Sequence, residues 1–219
     1  MIDVQKYNRL KEINKKYGYG SWALWPPKDN SEEGDAKNKD VSFFDEEEKN
    51  GTLFDKLTDK VMMLALNPSG DANSPIPPLW KNFRGGMYDQ RISMLVNKYK
   101  KYGWEGCYIT DLFKKRLGTK SGEVVENSRN WTENDWKKNT EPFVEELNAI
   151  GLDNLKQIIV FGSTSTFKYL KKIVKMGILP QEVLKKTVKI NHYSYNWKES
   201  RRDKGYINKV CEQLKKQKI

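Results

Sequence analysis

Asn67, Asp111 and His192 each lie at or near the end of a predicted strand, and the strand before Asn67 is a continuous apolar run. Apolar runs of roughly four to eight residues are typical of strands buried within a parallel sheet. Parallel sheets bind their ligands beyond the carboxyl ends of the strands, which is where these side chains would lie. The sequence therefore predicts a polar site at one edge of a sheet.

The dipeptide Asn67-Pro68 follows the apolar run VMMLAL. Pro68 fixes its own φ and pushes Asn67 out of the helical region, so the Asn67 amide is presented in a defined direction. An amide there can hold a water molecule or a ligand carbonyl, although Asn-Pro is also common in ordinary turns. His192 is the only histidine, and a lone histidine is more often a packed or surface residue than a catalytic one.

Several kinds of enzyme site have no counterpart in the sequence. A single histidine excludes most zinc sites built from histidines, and Cys107 and Cys211 lack metal or redox spacing. The patterns GxxxxGK[S/T], GxGxxG after a strand, and GxSxG are absent. We therefore expect no metal, no cofactor, and two free thiols in a reducing compartment. Cys107 begins a buried strand, so it is a poor candidate for a nucleophile.

Strands and helices alternate along the chain, judged by the spacing of apolar residues. The predicted strands are residues 61–66, 107–112, 157–161 and 187–190. The predicted helices are residues 3–17, 88–102 and 132–151, one through 167–174, and 203–217. This alternation predicts an α/β fold in three layers, α/β/α, around a central sheet of four mainly parallel strands.

Four segments follow the predicted strands and would share the edge at which those strands end. Each segment is rich in side chains that form hydrogen bonds. The segments are residues 67–71, 110–115, 162–166 and 191–197. Their convergence indicates a ligand site more strongly than any one segment does.

Length and charge suggest the class of protein and of partner. A chain of 219 residues, 37% of them hydrophobic, suits one domain with its own core. Residues 29–48 hold nine acids and two lysines and carry −7, whereas the whole chain carries +11. The other residues therefore carry +18, which favours a polyanionic partner, although a generally lysine-rich surface explains the excess equally well.

No segment contains the roughly 20 apolar residues of a membrane span, and the N-terminus lacks the pattern of a signal peptide. We therefore expect a cytoplasmic monomer that does not bind membranes. Residues 1–219 are predicted to form one domain. The acidic residues 28–51 are interpreted mostly as a surface loop, and we hypothesise that this insertion is mobile.

Short motifs along residues 58–217 resemble, in order, those of the uracil-DNA glycosylase superfamily. Residues 65–70, ALNPSG, are similar to the first motif of the mismatch-specific and single-strand-selective branches, where a strand ends in Asn-Pro-Gly. Residues 108–112, YITDL, followed by Lys114, resemble the second strand of the family and its exit.

The later part of the chain continues this resemblance. Residues 158–162, IIVFG, are similar to the third strand of the family. Residues 192–195, HYSY, followed by Arg201, Lys204 and Gly205, resemble its closing His-Pro-Ser motif with a basic, glycine-containing continuation. The resemblance implies a single glycosylase-like domain that needs neither metal nor cofactor.

The resemblance also implies an activity, the hydrolysis of the N-glycosidic bond of a base flipped out of DNA. Asn67 would position the water that attacks the sugar C1′. His192 would donate to uracil O2, where negative charge develops as the bond breaks. Asp111 and a backbone amide near Asn67, at Ser69 or Gly70, would read the edge of the base.

Further residues would hold the DNA, single- or double-stranded, around the flipped base. Phe83 would stack on that base, although packing in the core explains this aromatic residue equally well. Tyr195 or Trp197 would wedge into the gap, and basic residues would hold the phosphates. The residues expected to contact DNA are Ser163, Ser194, Tyr195, Trp197, Arg201, Arg202 and Lys204.

The chain departs from the family pattern at several of these positions. Asn67 replaces the aspartate of the most active branch, which predicts slow or selective catalysis, and Tyr193 stands where the family has proline. Asp111 stands where some branches have an amide. An ionised Asp111 would accept uracil N3–H but repel O4, whereas a protonated one would satisfy both. This residue therefore also fits a base with an exocyclic amine, or a structural cap of the following turn.

Two other functions remain open on the same fold. The chain would serve as an accessory protein that binds nucleic acid through a catalytically degenerate site, with aromatic residues stacking on single strands. Alternatively it would hydrolyse free nucleosides or nucleotides, with little dependence on salt.

Overall fold

The computed structural model describes residues 1–28, 33–68, 75–114, 121–195 and 203–217. A five-stranded sheet lies between two layers of helices, which confirms the predicted three-layer α/β/α architecture. None of the helices in these ranges is long and apolar enough to cross a membrane.

The sheet has one more strand than the four that the sequence predicts. Its strands are β1 (Ser21–Trp22), β2 (Thr58–Ala65), β3 (Cys107–Asp111), β4 (Gln157–Phe161) and β5 (Thr187–Ile190), in the spatial order β1-β3-β2-β4-β5. Strands β2 to β5 are parallel, and β1 is antiparallel to β3. The two residues of β1 are too few to show an alternating pattern, so only pairing with β3 reveals this strand.

The helices form the two outer layers. They are α1 (Val4–Tyr17), α2 (Ser42–Lys49), α3 (Leu53–Lys56), α4 (Asp89–Lys98), α5 (Ser121–Ser128), α6 (Glu133–Ile150), α7 (Thr166–Lys175), α8 (Glu182–Lys185) and α9 (Asp203–Lys216). The five predicted helices are α1, α4, α6, α7 and α9. Helix α4 is shorter than predicted, because the chain passes at Tyr99 into a 3-10 turn, Lys100–Tyr102.

The acidic insertion, interpreted from the sequence mostly as a loop, contains helix α2. Phe44 of this helix is buried, with its ring centroid 6.5 Å from that of Trp80. Glu48 accepts hydrogen bonds from Lys11 at 2.9 Å and from the Tyr7 hydroxyl at 3.1 Å, both on α1. The spacing of apolar residues does not predict this helix, because its buried side has so few of them.

The central strand β2 is buried on both faces, as its continuous apolar sequence predicts. Met62 and Leu64 belong to the core shared with α1, α6 and α7. Val61 and Met63 belong to the core shared with α4 and α9. These four β2 side chains are thus divided between two cores, and this packing fixes the orientation of the strand and of the segment that follows it.

The free edge of β5 is covered by Gln213 of α9 and by Gln217, the residue that follows this helix. The Gln217 amide both accepts from the Lys189 backbone N–H at 3.0 Å and donates to its carbonyl at 2.8 Å. Gln213 accepts from the Asn191 backbone N–H at 2.9 Å and donates to its side-chain oxygen at 2.8 Å. These amides replace a neighbouring strand, so the edge is paired and the chain leaving β5 is fixed.

A buried carboxylate, Glu146 of α6, ties the sheet to the helices. Its side chain has no solvent exposure and accepts from the Tyr108 hydroxyl at 2.7 Å and the Thr110 hydroxyl at 2.8 Å. Lys114, also buried, forms an ion pair with it at 2.8 Å. The Tyr108 hydroxyl accepts from the Asn14 amide of α1 at 2.6 Å. The network therefore links both helices to β3 and to the segment that leaves it.

Replacing Glu146 by alanine tests this network. Lys114 would keep its charge in a buried place without a carboxylate, so we expect a loss of about 3–5 kcal/mol in the free energy of unfolding. Urea denaturation measures the loss. The matched control is Glu145→Ala on the same helix, where a half-exposed carboxylate bonds Tyr17 at 2.9 Å and a loss below about 1 kcal/mol is expected. Equal losses in the two variants would contradict the assignment.

Candidate functional site

The connections of the sheet create a switch point at its centre. From β2 the chain goes to β3 on one side, and β4 lies on the other side with β5 beyond it. Connections therefore diverge between the ends of β2 and β4, where parallel sheets bind ligands. Asn67 lies two residues beyond β2, and Ser163 lies two residues beyond β4.

Asn67 is held beside the end of β3. Backbone hydrogen bonds from Leu112 to Ala65 at 2.9 Å and from Phe113 to Leu66 at 3.0 Å continue the pairing of β2 and β3 past the strand ends. The Asn67 side chain is half-buried, and its Nδ2 donates to the Pro68 carbonyl at 3.0 Å. The amide is thus oriented at the switch point, as the Asn-Pro dipeptide predicts.

Asp111, the last residue of β3, is paired with Ala65 and is only 2% exposed. Its Oδ2 accepts a hydrogen bond from the Asn82 amide at 2.9 Å. Among the described residues nothing bonds its Oδ1. Burial raises the pKa of the Asp111 carboxyl to about 7, against the lowering effects of the Lys114 charge and the Asn82 bond. Both protonation states are therefore populated at neutral pH.

His192, two residues beyond β5, has a defined tautomer. Its Nδ1 accepts from the Ser194 backbone N–H at 3.2 Å and lies 2.8 Å from the Ser194 hydroxyl. An accepting Nδ1 leaves the proton on Nε2, so Nε2–H is the available donor. Burial lowers the pKa of His192 to about 4, although part of its surface still meets solvent. The imidazole is therefore neutral at pH 7.

The segment carrying His192 is pinned on both sides. The Tyr206 hydroxyl of α9 donates to the Asn191 carbonyl at 2.9 Å. Arg91 of α4, 1% exposed, donates to the Tyr193 and Tyr195 carbonyls, each at 3.0 Å. Because both anchors are buried helix residues, the direction of the His192 ring is set by the packing of α4 and α9 against the sheet.

Tyr193 packs between His192 and two aromatic residues of the core. Its ring stacks on His192 at 4.3 Å between centroids and meets Phe161 at 5.3 Å and Phe83 at 6.3 Å edge-on. Burial, with a further contribution from the Asp111 charge, raises its pKa far above the usual range. Phe83 is 6% exposed and belongs to this core, so core packing is confirmed for it.

The loop that carries Asn82 and Phe83 has a strained backbone. Trp80 has φ 61° and Phe83 has φ 59°, in the left-handed region that bulky side chains rarely adopt. Arg84 donates from Nε to the Trp80 carbonyl at 3.1 Å, and the Ser21 hydroxyl donates to the same carbonyl at 2.7 Å. Strain of this kind persists only where the surroundings enforce it, and it is common at functional sites.

The remaining predicted DNA contacts lie around this edge or outside the described residues. Ser163 is half-buried in the turn before α7, whereas Ser194, Tyr195 and Lys204 are exposed. Tyr195 is 47% exposed, which suits a wedge. Outside the described residues lie Ser69, Gly70, Trp197, Arg201 and Arg202.

The structure adds three residues that the sequence analysis missed. Asn82 bonds Asp111, Arg91 holds the His192 segment, and Glu146 lies in the network next to Asp111. Of these three residues, only Glu146 could have been found from the sequence, because it follows Phe143 by three residues and therefore lies on the apolar side of its helix. The other two depend on contacts between distant parts of the chain.

Metal and thiol chemistry find little support at this edge. Across the described ranges, no group of three or more His, Cys, Asp or Glu side chains is placed to hold a metal ion. Cys107 is fully buried, and burial raises the pKa of its thiol, which keeps it protonated. Cys107 thus begins a buried strand as predicted, and a buried protonated thiol is a poor nucleophile.

Two clefts lie away from this edge. One, of about 740 Å³, is open and lined by charged residues on the outer side of α6, including Lys137 and Glu141. The other, of about 610 Å³, lies near the start of β2 and includes Thr58 and Gly103. Neither holds a convergent set of buried polar groups, so we place the candidate site at the edge with Asp111 and His192.

Compared with protein-family models, with curated proteins and with solved structures, the chain has no match. Fold and site define it by class alone, as a three-layer α/β protein. Its candidate polar site lies at the edge of a mainly parallel sheet where the strands end, on both sides of the switch point.

Asp111→Asn tests the buried carboxyl through the pH dependence of stability. Because its pKa is higher in the folded chain than its ordinary 3.8, the folded state holds a proton that the unfolded chain releases. The stability that the Asp111 proton contributes is therefore fully present below about pH 4, is lost as the pH rises to about 7, and does not change further above that pH. We expect the variant to gain over the wild type between these values, by up to about 4 kcal/mol at about 1.4 kcal/mol per pKa unit.

Urea denaturation at about pH 4.5, near the start of the Asp111 titration, and at about pH 8, beyond its end, measures this gain. His192 titrates in both proteins, so its effect cancels in the difference. The exposed Asp153→Asn is the control and should show no gain. A gain of Asp111→Asn that is the same at both pH values would contradict the raised pKa.

Proposed function

We propose that the chain is a DNA glycosylase that hydrolyses the N-glycosidic bond of uracil or another deaminated base flipped out of DNA. The observation that carries this proposal is that three polar groups lie at or just beyond the ends of β2, β3 and β5, at the same edge of the parallel sheet. They are the oriented amide of Asn67, the buried carboxyl of Asp111 and the neutral imidazole of His192. The motif resemblance and the excess of basic residues support it further.

Asn67 orients the attacking water. Its Nδ2 donates to the Pro68 carbonyl, and in this proposal its amide oxygen accepts a hydrogen bond from the water and aims it at C1′. An amide is not a base at neutral pH, so this residue positions the water and takes no proton from it. As the C1′–O bond forms and the C1′–N bond breaks, the proton that the water loses passes to solvent or to the departing base anion. Slow or selective turnover follows from this chemistry.

His192 stabilises the leaving base. Negative charge develops on O2 of a uracil as the glycosidic bond breaks, and the His192 Nε2–H donates to it. The ring is neutral because burial lowers its pKa, and Ser194 keeps the proton on Nε2. The donor is thus fixed in place before the charge appears, without a proton transfer.

Asp111 reads the edge of the base, supported by Asn82. A protonated carboxyl donates to O4 of uracil and accepts from N3–H, whereas an ionised one repels O4. The raised pKa supplies the protonated form at neutral pH. Recognition of uracil is therefore expected to weaken as pH rises above about 7.

Base release from oligonucleotides tests the proposal. Single- and double-stranded substrates carry uracil, hypoxanthine, xanthine or a G·T mismatch, and abasic sites are cleaved to reveal release. We expect release from at least one substrate, with Asn67→Ala and His192→Ala slowed by about 100-fold or more. Asn50→Ala, an exposed amide at the end of α2, is the control and should keep full activity.

The pH dependence of the same assay tests Asp111 separately. Release of uracil should fall above about pH 7 in the wild type, and Asp111→Asn should lose this fall because its amide does not ionise. No release from any substrate under any of these conditions would sink the glycosylase proposal.

One observation favours a second function, a nucleic-acid-binding protein whose site is catalytically degenerate. The Tyr193 ring lies against His192, Phe83 and Phe161, where a flipped base would enter. In this case Tyr193 permanently fills the base pocket, and the chain binds the strand without cleaving it.

Tyr193→Ala separates the two functions. If Tyr193 only blocks the pocket, removing its ring opens a cavity, and base release should appear or rise at least tenfold. If the ring orients His192 by stacking, release should fall in the same assay. Tyr102→Ala, an exposed tyrosine on the 3-10 turn, is the control and should change nothing. Salt-sensitive DNA binding without release in the wild type, with release appearing only in Tyr193→Ala, would favour the site that Tyr193 blocks.

A further inference from the structure

The surface made by α7 and the outer face of β5 has a strong excess of positive charge. Residues 162–190 contain seven lysines and one acid, Glu182. Lys168 and Lys171 on α7 and Lys189 on β5 are exposed. Leu170 and other apolar residues of α7 are buried beneath them. We refer to Lys168, Lys171 and Lys189 as the lysine track.

These lysines have no carboxylate partner within the described parts of the chain. Some lysines elsewhere in this protein do have such a partner: Lys15 pairs with Glu12 at 2.7 Å, and Lys137 with Glu133 at 2.6 Å. The track therefore keeps its charge unneutralised, which is the condition for binding an external anion.

The ammonium groups of two of these lysines lie near the ring of Phe167. The ammonium group of Lys189 lies 4.7 Å from the centroid of its ring, and that of Lys171 lies 5.9 Å from the same centroid. The attraction between cation and ring offsets the repulsion of two like charges. The Lys189 backbone is itself fixed by Gln217. The two ammonium groups are thus held together before any ligand arrives.

The track is continuous with the candidate site. Lys189 comes three residues before His192, and Phe167 lies in the first turn of α7, directly after the Gly162–Ser165 turn. Because β4 and β5 are parallel neighbours, the turn before α7 and the His192 segment leave the sheet at the same edge, so a strand bound there would lie near the first turns of α7. Regularly spaced negative charges would meet several lysines in succession.

The surroundings favour a nucleic acid over an anionic membrane. Membrane-surface helices insert large apolar side chains beside their basic residues. In the described ranges the exposed large hydrophobic residues are Met1, Val4, Ile76, Met87, Tyr102 and Tyr195, none of which lies on α7 or β5. Phosphates of a polynucleotide need only charge and hydroxyl donors, which this surface supplies.

We propose that the lysine track, with the Phe167 ring that gathers it, binds the phosphate backbone of the nucleic acid that enters the candidate site. The inference rests on the proposed nucleic-acid partner and goes beyond it by naming the surface. Its contacts are with phosphates, so it sets affinity and not the choice of base.

The test measures how the binding of a fluorescently labelled DNA depends on salt concentration, by fluorescence anisotropy. The DNA has about 20 nucleotides of mixed sequence and is used both as a single strand and as a duplex. The variant Lys168→Gln, Lys171→Gln, Lys189→Gln should bind at least tenfold more weakly. Its slope of log affinity against log salt should fall by about 2, since each lost phosphate contact removes about 0.7–0.9. Phe167→Leu keeps all three charges and should lower the slope by about 1 or less.

The matched control is Lys15→Gln, Lys16→Gln, Lys137→Gln, which removes the same charge from lysines that have carboxylate partners. It should change the slope by less than about 0.5. Thermal unfolding confirms that each variant is folded. Equally weakened DNA binding in both triple variants would show a general charge effect and overturn the proposal. The proposal would also be overturned if the track variant lost binding to anionic phospholipid vesicles but kept its affinity for DNA.

Base release from a uracil trinucleotide, whose few phosphates can engage at most part of the track, separates this proposal from the glycosylase proposal. Full release from the trinucleotide by the track variant, with weakened binding of the longer DNA, supports both. No release by any protein, with the same weakened binding, supports the track and removes the glycosylase. Unchanged DNA binding by the track variant overturns the track and leaves the glycosylase standing.

Discussion

The buried charge of Glu146 is the constraint on which the rest of the structure depends. A carboxylate without solvent exposure must have its lone pairs satisfied, and here Tyr108, Thr110 and Lys114 do so. Each of these partners belongs to β3 or to the chain just beyond it. The requirement thus fixes α6 against β3 and fixes the direction in which the chain leaves the strand, beside Asp111.

The electrostatics of the candidate site follow from the same burial. Asp111 faces the core shared with α4 and α9, one residue away from the network that Thr110 serves on the other face of the sheet. Removal from water raises the pKa of its carboxyl, and removal from water lowers that of His192. Two ionisable groups therefore both lie closer to their neutral forms, which suits recognition by hydrogen bonds more than by charge.

Much of the frame could be predicted from local patterns. Strands β4 and β5 have their predicted bounds, and the polar edge containing Asn67, Asp111 and His192 follows from the rule that parallel strands end together. Strand β1 and helix α2 could not be predicted, because their places are set by pairing with β3 and by burial of Phe44, not by their own periodicity. Both are cases where tertiary contacts override weak local signals.

The sequence by itself determined the alternation of strands and helices, the basic surface and the candidates at the sheet edge, because apolar spacing and charge are local properties. The tertiary structure alone decided how those candidates are held. It brought Asn82 to Asp111 across 29 positions, set Arg91 on the Tyr193 carbonyl across 102, and packed Tyr193 against Phe83. It also placed Lys171 and Lys189 on one ring. Such pairs depend on how helices pack on the sheet, which no single segment encodes.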